Sequence, residues 1–171
     1  HPTGRFFILR FAFEGRQPEP TLPGYYPTRL EGKMKVKCIS NTGQGLSLAT
    51  LKSGWHFSRK TRFWEIEIGK TYIPYGISVL FNVIHYLIFP DNGVLPTWTP
   101  AELFLIEDNL LPTEWYFRYF HEKEHPDYFS AIWGYKELVN EDDHWFNLFE
   151  GQKDAINMFL QRKEEIDSIF R

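Results

Sequence analysis

The chain has 171 residues and a formal net charge of −3, so length alone predicts one compact domain with a sizeable core. Hydrophobic residues make up 43% and charged residues 24%, which excludes a disordered chain, and the negative net charge argues against a generally basic nucleic-acid binder. A single cysteine, Cys38, excludes an internal disulfide framework and a cysteine-based zinc site.

In chain order, residues 1–33 differ in character from the rest of the chain, with prolines clustered between Pro18 and Pro27. They are expected to be a leader or an expression-derived segment, with a native first strand over Phe6–Phe13 as the alternative. Met34 looks like a natural start. Val36, Cys38 and Ser40 alternate with Lys35, Lys37 and Ile39 as in a half-buried strand, which Asn41 to Gly45 then breaks. Phe63, Glu65 and Glu67 alternate with Trp64, Ile66 and Ile68, which predicts a second strand.

The uncharged stretch Tyr72 to Phe89 nearly reaches the length of a membrane span. Its Pro74, Gly76, Asn82 and His85 instead predict two buried strands joined near Phe81–Asn82. Asp91-Asn-Gly93 signals a hairpin, and Leu103–Ile106 and Trp115–Phe120 complete the strand series. After His125-Pro126 the pattern changes to helix. Tyr135–Asn140 suits a short one, and an amphipathic stripe from Asp142 or Asp143 to Phe170 is interrupted at Gly151. The expected fold is α+β. A small antiparallel barrel of SH3-like type, or a bent sheet, spans 34–125, with a helical segment over 126–171 packed on it.

Charge is uneven. Residues 1–33 carry +2, residues 34–110 carry +1 and residues 111–171 carry −6. The acidic tail reads either as a solvated helix face or as a docking surface for a basic partner.

Three chemistries merit weighing. His121-Glu122-Lys-Glu-His125 matches H-E-x-x-H, in which two histidines one helical turn apart hold zinc and the glutamate activates water. Pro126 biases His125 away from helix, so a charged surface loop is the better reading, and no metal or other cofactor is expected. Arg59, Lys60 and Arg62, interleaved with Trp55 and Trp64, suit stacking and phosphate contacts to nucleic acid, or a loop of solvated cations. No nucleophile elbow or phosphate-binding glycine loop is present, and Cys38 reads as a small buried hydrophobe. A non-enzyme is expected.

Met34-Lys-Val-Lys-Cys-Ile-Ser-Asn-Thr-Gly43, Ile68-Gly-Lys-Thr-Tyr-Ile-Pro-Tyr-Gly76, Pro100 to Asn109, Trp115-Tyr-Phe117 and Trp133-Gly-Tyr-Lys-Glu-Leu138 together resemble a family of small bacterial proteins. That family is similar to the immunity proteins of polymorphic-toxin systems, and the likeness covers residues 34–171. The resemblance implies a cytoplasmic, non-enzymatic protein that neutralises a toxin by binding it. Aromatic and acidic side chains make Trp133, Tyr135, Glu137, Asp142, Asp143 and Trp145 the candidate contacts. The alternatives are a nucleic-acid-binding barrel using Trp55, Arg59, Lys60, Arg62 and Trp64, and a zinc hydrolase through His121, Glu122 and His125.

Overall fold

The computed structural model describes residues 34–91, 93, 95–121 and 129–169. Its fold is α+β. Strands β1 (Lys35–Cys38), β2 (Thr71–Tyr72) and β6 (Phe104–Asp108) form one antiparallel sheet in the order β2-β1-β6. Strands β3 (Gly76–Leu80), β4 (Val83–Ile88), β5 (Thr97–Pro100), β7 (Tyr116–Tyr119) and β8 (Phe129–Gly134) form a second, in the order β5-β4-β3-β8-β7. A one-turn helix, α1 (Leu48–Leu51), follows β1. The chain then ends in α2 (Lys136–Asn140), α3 (His144–Phe149) and α4 (Lys153–Ile169). No strand is common to the two sheets, so the described strands do not close into the single barrel that was one expectation.

Strand alternation places two cores on opposite faces of the five-stranded sheet. Leu80, Leu87 and Ile132 pack against Leu138, Val139, Leu148 and Phe159 of the helices. On the other face, Tyr86 and Ile88 pack against Val36, Cys38 and Phe104 of the three-stranded sheet. Leu87 and Ile88, adjacent in β4, are both fully buried, because each faces a different covering layer. In α4, Ala155, Phe159 and Ile166 recur at helical spacing and form the buried stripe. Phe159 at its centre lies 5.4 Å from the ring of Tyr75 and 5.7 Å from that of Phe89.

Several expected elements are present. Phe81 and Asn82, with φ of 49° and 60°, make the tight turn between β3 and β4, both residues in the left-handed region that this hairpin type requires. Gly151 has φ of 70° and separates α3 from α4. The expected 1–33 segment falls outside the described residues, as do Asn92 of the hairpin signal and Glu122 and His125 of the zinc motif.

Two expectations are corrected. Phe63 to Ile68 is not a strand: it runs in turns, and the strand-like pairing beside it is an isolated bridge between Thr42 and Arg62. Phe63 and Ile66 are buried while Trp64 is 80% exposed, because Phe63 N–H donates to Asn41 O and the chain then turns, Ile66 N–H reaching Phe63 O at 3.4 Å. The region after Pro126 is not all helical either. β8 lies between β3 and β7, with Ser78 opposite Ile132 and Arg118 opposite Ile132 on its other side. Phe-Ser-Ala-Ile-Trp-Gly is nearly continuous in apolar residues because a central strand is covered on both faces, and such a run lacks the alternation that marks a half-exposed strand.

Candidate functional site

Alternation in β7 and β8 sends neighbouring side chains to opposite faces. Arg118 and Ile132 face the helical layer, whereas Phe117 and Trp133 face away and their rings lie 4.6 Å apart. The helix-side residues form one wall of a cavity of about 240 Å³. Phe129, Ile132, Leu138, Val139 and Trp145 line it, and Arg118, Glu141, Asp142 and Asp143 stand at its polar side. The guanidinium of Arg118 lies 4.7 Å from the centre of the Phe120 ring and donates to Asp142 Oδ1 at 2.5 Å. Glu141, Asp142 and Asp143 are exposed. Three carboxylates therefore face one guanidinium beside an aromatic hollow.

The six candidate contacts separate into three places. Asp142, Asp143 and Trp145 meet at this cavity. Trp133 lies on the opposite sheet face, half-buried against Phe117. Tyr135 and Glu137 are turned inward. The Tyr135 hydroxyl and His144 Nε2 share a hydrogen bond of 2.8 Å, and the Glu137 carboxylate accepts two bonds from Arg162. Burial pushes the Tyr135 phenol up and the His144 imidazole down, which keeps that pair neutral. Arg118 is a charged cavity residue outside the six candidates. Its signal is a lone cation in the aromatic strand Tyr116–Tyr119, but only the sheet register reveals which residues it meets.

The basic patch is divided as well. Arg59 Nη1 donates to the carbonyls of Gly43, Gln44 and Leu46, at 3.3, 3.0 and 2.7 Å, and so ties the 43–46 turn to its own loop. Trp55 packs against the core, with its ring 5.0 Å from that of His85. Lys60 is exposed, and Arg62 lies 5.1 Å over the exposed Trp64 ring.

Two other reactive side chains lie outside the cavity. Burial raises the Cys38 thiol, which donates to Ser40 O at 3.3 Å. His121 stands edge-on to Tyr119, with ring centres 5.3 Å apart. Among the described residues, no group of three or more His, Cys, Asp or Glu is placed to hold a metal ion, and no helix is long and apolar enough to cross a membrane. The chain matches no family model, no curated protein and no solved structure.

Proposed function

We propose that this chain is a cytoplasmic, non-catalytic binding protein that engages a partner protein with a basic surface, in the manner of the bacterial immunity proteins that its sequence resembles. The observation that supports this reading is the cavity rim. Glu141, Asp142 and Asp143 present their charges beside Trp145 and Phe146, so an acidic face and aromatic anchors adjoin at one hollow. Complementary charge would steer a basic partner to this face, and the aromatic side chains would hold it. A toxin that cleaves nucleic acid carries such a basic surface, and covering it would block the toxin's substrate.

The test is capture from a lysate of the source organism on the immobilised full chain, with and without nuclease, beside an Asp142→Lys/Asp143→Lys variant. A partner that survives nuclease, binds more weakly as salt rises and is lost with the variant supports the reading. A partner retained equally by the variant removes this face from it. Material lost only on nuclease treatment would shift the reading to Lys60, Arg62 and Trp64.

A further inference from the structure

We infer that the cavity between β7, β8, α2 and α3 is a receptacle for one arginine side chain of the partner, a proposal that rests on the protein-binding reading above. Size sets the first limit. At about 240 Å³ the cavity is smaller than the roughly 300–1,000 Å³ of small-molecule sites, yet larger than the ~150 Å³ that admits a benzene ring. One long side chain is the guest that fits.

Chemistry sets the second. The inner walls, from Phe129, Ile132, Leu138 and Val139, are apolar and suit an aliphatic stem. The rim has three carboxylates against the single guanidinium of Arg118, so one further cation enters a site that remains negative. Arg118 itself shows which cation suits the place. Its guanidinium already lies over Phe120 while bonded to Asp142, and a planar, weakly hydrated group accepts both contacts where an ammonium accepts them less well. The indole N–H of Trp145, in the cavity wall, is buried with no acceptor among the described residues. Its ring closes the wall beside the rim carboxylates, so its N–H resonance reports on what enters the cavity.

The experiment titrates the full chain with N-acetyl-arginine amide and follows the tryptophan indole N–H resonances by NMR, with Trp145→Phe assigning the signal. The expected result is a saturable shift of the Trp145 resonance at millimolar ligand. Asp143→Asn should weaken it about fivefold, the size of one exposed charge contact. N-acetyl-norleucine amide, which has the stem without the charge, should leave the resonance in place. An equal shift with the norleucine amide, or none with the arginine amide, overturns the proposal. If the arginine amide fails while partner capture still depends on Asp142 and Asp143, the receptacle alone falls and the docking face stands.

Discussion

Arg162 in α4 grips the carboxylate of Glu137 in α2 through two parallel bonds, Nε to Oε2 at 2.8 Å and Nη2 to Oε1 at 2.6 Å. Glu137 is 8% exposed, and these bonds hold its carboxyl below the usual carboxylate range. The pair fixes the long C-terminal helix against the short one that carries the cavity wall. Arg162 also reaches Glu165 at 2.6 Å, one helical turn along.

Removing one partner of that pair should cost more than removing both. Arg162→Ala leaves a buried carboxylate unpaired, for an expected loss of about 3 kcal/mol. Arg162→Leu combined with Glu137→Leu should recover most of that loss, because no buried charge remains. Urea unfolding of both variants measures the difference, and equal losses would show that the pair contributes only packing.

Acid should destabilise the fold through His85. This residue is fully buried in β4, and burial pushes its pKa from 6.5 down to about 4. Its Nδ1–H donates to Val83 O at 3.0 Å, which leaves Nε2 buried with no donor among the described residues. The unfolded chain takes up a proton near pH 6.5 and the folded chain near pH 4, so stability present above 6.5 is lost as pH falls through this window. At 1.36 kcal/mol for each pH unit, the loss approaches roughly 3 kcal/mol. Glu102 is the charged neighbour that offsets part of the burial effect, and His144 adds a loss of the same sign. Thermal melts of His85→Gln should fall less steeply between pH 6.5 and 4 than those of the parent chain. An unchanged slope would place the acid sensitivity elsewhere.

Gly43 should not tolerate a methyl group. A Cβ there would lie 1.8 Å from the carbonyl oxygen of Ser58 and 2.8 Å from its carbonyl carbon, and both are backbone atoms without rotamer freedom. Gly43→Ala is expected to cost about 2–3 kcal/mol as the 58–62 loop is pushed off the 43–46 turn. The urea midpoint reads this directly, and a value within error of the parent would mean that the loop moves at no cost.

Arg59→Ala should lower stability by about 1–2 kcal/mol, because one guanidinium nitrogen serves three carbonyls. Lys60→Ala/Arg62→Ala, at exposed positions, should leave stability within about 0.5 kcal/mol. Neither variant should change what a fluorescence titration with a single-stranded oligonucleotide reads. A tenfold loss of affinity in the exposed pair would revive the nucleic-acid alternative.

What the sequence determined by itself is local. Period-two alternation at Val36 and Cys38, the Phe81–Asn82 turn between two buried strands, and the break at Gly151 all follow from short-range rules. The backbone there obeys its own residues. The α+β class follows from the same patterns. Tertiary structure decided the rest. Phe63 to Ile68 alternates like a strand but pairs with no strand among the described residues, and it turns. Phe129 to Gly134 shows too little alternation because layers cover both its faces, and its place between β3 and β7 depends on pairings distant in sequence. The candidate site divides for the same reason. Trp133 and Ile132 are neighbours in the chain but lie on opposite faces of a sheet, whereas Arg118 and Asp142, 24 residues apart, share an ion pair. Which acidic and aromatic side chains meet is set by strand register and helix packing, and neither is encoded in the spacing of any one segment.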